Sequence, residues 1–272
     1  MPNYPIPNSA RLQAPEFSGS TVITVASAAA AGTKGAWVQL IASTSFDCDY
    51  LMVFVGWGSS TRVSLIDIGI GGAGSEVAIA SDLPYEQSGS VAPSVYCFIV
   101  PTPIKSGTRI SARANISGSV TKQVGMWVIP VAGGYVHPND MGKLTTYGVA
   151  STPTMTSLDP GATINTKGAY SQLVASTSTD IRALQLVCAK SGTGAASDWR
   201  VDVAIGAGGS EQIIIPDYYC TTNATAGQIP VPPVSPVIPV SIPVGTRIAA
   251  RCSNSINTAG SRLLDVAIVG ME

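Results

Sequence analysis

The residues of this chain best suited to chemistry are few, and they come in pairs. Asp47, Asp67 and Glu76 recur as Asp180, Asp202 and Glu211, and Arg109 and Arg113 recur as Arg247 and Arg251. Two carboxylates converging in one cleft are what glycoside hydrolysis requires. Planar arginine forks, for their part, suit a docking surface that binds carboxylates or backbone carbonyls. The local pattern favours a simpler use. Around Asp67 the sequence alternates, with Ile66, Ile68 and Ile70 on one side and Asp67 and Gly69 on the other. The same period of two turns Arg109, Ser111 and Arg113 away from Ile110, Ala112 and Ala114. Side chains on one face of adjacent strands meet across the ladder. Asp67 and Asp202 are therefore expected to form cross-strand ion pairs with these arginines on the solvent face, each contributing roughly 0.2–1 kcal/mol. Arg109, Arg113, Arg247 and Arg251 as a docking surface is the alternative.

Other candidate chemistry is thinner. The single histidine, His137, adjoins Pro138 with no GxSxG elbow, so a serine or cysteine nucleophile has a base only at that spot. No cysteine or histidine pair has zinc-ligand spacing, and no metal or cofactor is expected. Asp47-Cys48-Asp49 could lend oxygens to calcium, but the second occurrence reads Asp180-Ile181-Arg182, and an arginine there argues against a shared cation. The glycine run from Gly69 to Gly74 fits GxGxxG, yet a strand rather than a helix is predicted after it, so a hairpin turn is expected instead of a dinucleotide site. Of the four tryptophans, Trp37 aligns with Tyr170 and reads as packing, as do Trp127 and Trp199. Trp57, between two glycines, is the candidate glycan contact.

What must position these residues is a duplicated scaffold. Thr33 to Asp47, TKGAWVQLIASTSFD, returns at Thr166 to Asp180 as TKGAYSQLVASTSTD, identical at eleven of fifteen positions. GTRISAR at 107–113 likewise returns as GTRIAAR at 245–251. Repetition in the same order implies tandem domains. The boundaries read from the sequence are an extended proline-rich arm at 1–16, a first copy at 17–132, a linker at 133–153 and a second copy at 154–272. Short β-branched segments separated by glycine, serine, proline and aspartate, with no capped helical period, predict an all-β fold of two antiparallel β-sandwich domains, jelly-roll-like in type. Prolines throughout 229–243 predict an edge or polyproline segment.

Only 11% of residues are charged and the net charge is -1, so no basic footprint exists for nucleic acid or an anionic membrane. No run of about 18 apolar residues predicts a membrane helix, and the N-terminal stretch shows no secretory leader. Five cysteines at non-equivalent positions are expected to be free, mostly buried thiols.

The tandem β copies, the hydroxyl-rich low-charge surface, the proline arm and the GTRI-S/A-AR motif resemble accessory virion proteins of tailed bacteriophages, of the decoration, head-fibre, collar or tail kind. The resemblance spans both copies. It implies a non-enzymatic protein of the virion, assembled in the host cytoplasm, bound to other virion proteins and forming a homo-oligomer, with a trimer favoured. A carbohydrate- or host-receptor-binding module engaging glycans is the competing expectation.

Overall fold

A computed structural model describes residues 11–16, 23–58, 63–86, 95–118, 123–133, 143–191, 196–222, 229–256 and 263–272. Among them every regular element is a strand, as the alternating patterns predict. Three sheets result. The first contains β1 (Arg11–Leu12), β9 (Gln123–Ala132), β4 (Tyr50–Gly58) and β7 (Tyr96–Val100) in that order, with β2 (Ile23–Ala26) also on β9. The third contains β12 (Ser171–Val174), β17 (Ile248–Asn254), β14 (Ser197–Ile205) and β15 (Gln212–Thr222).

The middle sheet draws on both halves of the chain. From one end run β16 (Ile238–Ile242), β13 (Ile181–Ser191) and β18 (Leu264–Met271), with β11 (Thr156–Leu158) on β18; from the other run β3 (Val38–Ile41), β8 (Ile110–Ile116), β5 (Val63–Ile70) and β6 (Val77–Glu86). The strand that joins them is β10 (Leu144–Tyr147), antiparallel to β18 and parallel to β6 at Leu144 opposite Ala80. Residues 133–153 therefore do more than link the two copies, since they supply a strand. The reason is visible in the register: Leu144 pairs with Met271 just as Leu12 pairs with Val131. The end of the N-terminal arm and the supposed linker play the same part in their respective halves. Residues 1–10 of the arm lie outside the described residues.

Two apolar cores follow from this arrangement. The strand pattern of β13 shows why. Leu184, Leu186 and Cys188 enter a core with Trp199, Val201 and Ile268, while Ala183, Val187 and Ala189 on the opposite face enter the core of Val53, Ile66 and Phe98. Strands buried on both faces read as continuous apolar runs, and residues 183–189 of β13, apart from Gln185, and residues 266–271 of β18 do so. Buried Gln185 stitches the layers together. Its Oε1 accepts from Ile99 N at 3.0 Å and its Nε2 donates to Cys97 O at 3.2 Å and Ser235 O at 3.1 Å.

The proline-rich stretch behaves as its composition dictates. Residues 231 and 234 make single bridges to Thr221 and Val187, and β16 then forms the outer end of the middle sheet. The glycine run is a hairpin turn between β5 and β6, with Gly71 and Gly74 at positive φ.

Candidate functional site

The repeated polar residues converge on the outer face of β8, β5 and β6, and again on that of β17, β14 and β15. Asp67 on β5 stands directly opposite Arg113 on β8, and Asp202 on β14 directly opposite Arg251 on β17. The arginine Nε donates to the carboxylate Oδ2 at 2.8 Å in the first half and 2.9 Å in the second. A lysine from the loop before β3 or β12 closes the other side. Lys34 Nζ meets Asp67 Oδ1 at 2.7 Å, Asp82 Oδ1 at 2.8 Å and Leu65 O at 3.1 Å. Lys167 Nζ meets Asp202 Oδ1 at 2.7 Å, Asp217 Oδ1 at 2.9 Å and Arg200 O at 3.1 Å. Asp82 and Asp217 adopt left-handed φ of 58° and 47°, which turns their own N–H groups onto Asp67 and Asp202 at 3.0 Å.

An aromatic ring lies over each arginine. The guanidinium of Arg113 sits 4.6 Å from the Trp37 ring centroid, and that of Arg251 sits 4.6 Å from the ring of Tyr170. The expectation of solvent-face ion pairs thus needs correction on two counts. The central carboxylates are buried, Asp67 being 2% and Asp202 3% exposed, because the lysine, arginine and aromatic side chains roof them over. For the same reason β5 is buried on both faces rather than half-buried. Arg109 and Arg247, moreover, take a different carboxylate. Arg109 Nη1 meets Glu76 Oε1 at 2.7 Å while its Nε donates to Gln39 Oε1 at 3.1 Å. Arg247 does the same with Glu211 at 3.2 Å and Gln172 at 3.1 Å.

Electrostatics agree with this geometry. Burial alone pushes the Asp202 carboxyl upward, but the Asp217 N–H, Lys167 and Arg251 outweigh it and hold the group below its ordinary value. Glu76 is held low chiefly by Arg109, and Glu211 chiefly by its own backbone N–H, with Gly209 and Arg247 adding to it. Groups held in their charged state by fixed partners are poor proton shuttles. The arrangement is suited to locking strands, loops and rings together.

Asp47 and Asp180 have a related use. Asp47 accepts from Ser106 N at 2.8 Å and pairs with Lys105 at 2.8 Å, and Asp180 accepts from Val244 N at 2.8 Å. Asp49 turns elsewhere, to Gly133 N at 2.7 Å. Asp47 and Asp180 thus clamp the loops that precede β8 and β17. Among the described residues no group of three or more His, Cys, Asp or Glu side chains is placed to hold a metal ion. No helix among them is long and apolar enough to cross a membrane. His137 lies outside the described residues, and Trp57 falls within β4 with its side chain outside them. All five cysteines are free thiols, four buried and Cys97 partly exposed.

Sequence reasoning left out Lys34, Lys167, Gln39, Gln172, Asp82 and Asp217. A signal was present for four of these: both lysines and both glutamines stand at identical positions of the repeated fifteen-residue stretch.

No family model matches the chain, and no curated protein matches it. Among the solved structures, one described as "Structure of PNGF-II in C2 space group" is similar at a TM-score of 0.37 and 8% identity, covering 93% of this chain and 66% of that chain. A likeness at this level carries nothing about activity or ligand.

Proposed function

We propose that the chain is a non-enzymatic structural component of a bacteriophage virion and acts through protein–protein contacts. The observation that carries this is the use made of the repeated polar residues. The lysine, aspartate, glutamate, arginine and glutamine side chains that both halves share, together with Asp47 and Asp180, bond to partners within their own half. The four arginines considered as a docking surface each have a carboxylate partner within their own half, so a neighbour would have to compete with that pairing. What the scaffold leaves over is surface rather than a reactive centre. The resemblance to decoration, head-fibre, collar and tail proteins supplies the setting, with other virion proteins as partners.

Electron microscopy of purified particles made with and without the protein tests the proposal. A defined density lost with the protein is expected; an unchanged particle, or a soluble protein absent from every particle, would defeat it. Selective glycan binding that Trp57→Ala abolishes would replace it with the carbohydrate-binding alternative.

A further inference from the structure

In the second half, the face of β13 and β18 that carries Gln185, Val187, Ala267 and Val269 is fully covered, because the first half packs on it. The corresponding face of the first half is that of β4 and β9. There Met52 pairs with Ile129 and Phe54 with Trp127, in the registers that Gln185 shares with Val269 and Val187 with Ala267. Met52, Phe54, Trp127 and Ile129 are only partly buried and belong to neither core. Phe54 and Trp127 stack on one another at 5.2 Å, and β4, β7 and β9 contain no charged residue. An uncharged apolar patch with aromatic anchors has the composition of an interface centre.

The opposite end of the molecule shows the complementary gap. In the first half, β6 meets β10 and Pro84 is buried, whereas among the described residues β15 has no strand beyond β14, only the single bridge from Val231 to Thr221 near its end, and Tyr219 in the position matching Pro84 is 51% exposed. β1 occupies on β9 the place that β10 occupies on β18, and its Leu12 is 62% exposed.

We infer that molecules of this chain associate head to tail, the β15 end of one seating against β1 and the Phe54–Trp127 face of the next, in the manner of the junction between the two halves. This stands on the internal junction alone and does not depend on the virion role. Such a contact is heterologous, so it builds a ring if the rotation closes and a filament if it does not. It differs from the internal junction in two respects. Pro216 stands where the first half has Ser81 and removes a backbone donor from the edge, and Phe54 and Trp127 replace the smaller Val187 and Ala267. Apolar packing therefore carries more of the contact than strand pairing does, and the association is reversible.

Sedimentation of the full chain over a range of concentrations tests this. The expected result is a species larger than the monomer that grows with concentration. Trp127→Glu blocks one end and Tyr219→Glu the other, so each variant alone should sediment as a monomer, and an equimolar mixture should give a one-to-one dimer and nothing larger. Met52→Glu, on the same face as Trp127, should behave as Trp127→Glu does, and unchanged thermal unfolding of the Tyr219 variant establishes that its fold is intact. A wild-type chain that is monomeric throughout, or an oligomer that survives Tyr219→Glu, overturns the inference.

Discussion

At the scale of single residues, the period-two pattern put Asp67 and Asp202 on one face with the repeated arginines, and the strand register then sets Asp67 opposite Arg113 and Asp202 opposite Arg251, with Arg109 and Arg247 going elsewhere. It could not bring in Lys34 or Lys167, which reach the same carboxylates from a loop and whose partners are fixed only by tertiary packing. The cost of breaking such a cluster is set by burial. Asp202→Asn leaves Arg251 without a carboxylate and Lys167 with the exposed Asp217 alone, and should destabilise the protein by about 1–3 kcal/mol, read as a lowered denaturant midpoint. The pH dependence follows from the same groups. Asp202, Glu76 and Glu211 are held below their ordinary values when folded. Their contribution is therefore complete above the unfolded carboxylate pKa of about 4 and is lost as pH falls through the lower folded values. The midpoint should be flat near neutrality and fall in acid, more gently in Asp202→Asn than in the wild type. Gly69 gives a separate test. A Cβ there would lie 2.7 Å from the Trp37 ring, whereas the second half combines Tyr170 with Ala204. Gly69→Ala should cost about 1–3 kcal/mol through overpacking, and adding Trp37→Tyr should recover part of that loss.

At the scale of elements, the repeated stretch was legible as a strand with its lead-in, and the reason for its conservation between halves lies in close approach. Gly35 and Gly168 donate N–H bonds to Ala114 O and Cys252 O, and a Cβ on either would collide with the carbonyl oxygen of Ala26 or of Asp159. Thr44 and Thr177 bond to Lys105 O and Pro243 O through their hydroxyls. What the sequence hid was β10, since four residues among turn formers carry no period long enough to recognise. The cysteines divide by burial. Cys48, Cys188, Cys220 and Cys252 are buried, and burial together with Asp47 and Asp49 pushes the Cys48 thiol up to about 11. Because the thiolate is the reactive form, a thiol reagent at neutral pH should label Cys97 at most in the folded protein and all five cysteines in denaturant. Mass spectrometry of the two labelled samples checks this, and rapid native labelling of Cys188 or Cys252 would contradict it.

At the scale of the whole molecule, two sequence copies suggest two units that unfold separately, and the sheet arrangement points the other way. The middle sheet runs through both halves by way of β10, and one core collects Val53, Ile66 and Phe98 from the first half with Val187, Ala267 and Val269 from the second. Unfolding the second half alone would expose the core of the first half along β13 and β18 and would leave the Ile99 N–H and the Cys97 carbonyl without their Gln185 partners. Water would replace Gln185 at those groups, so the main cost is the apolar area of the shared core returned to water, at about 25 cal/mol per Å². Calorimetry should therefore show one transition whose calorimetric and van't Hoff enthalpies agree. Gln185→Ala should move that transition down as a unit, because the residue belongs to the junction and not to either half. Two resolved transitions in the wild type, or a Gln185→Ala variant in which only part of the heat absorption shifts, would show that the halves fold independently and that the shared sheet couples them weakly.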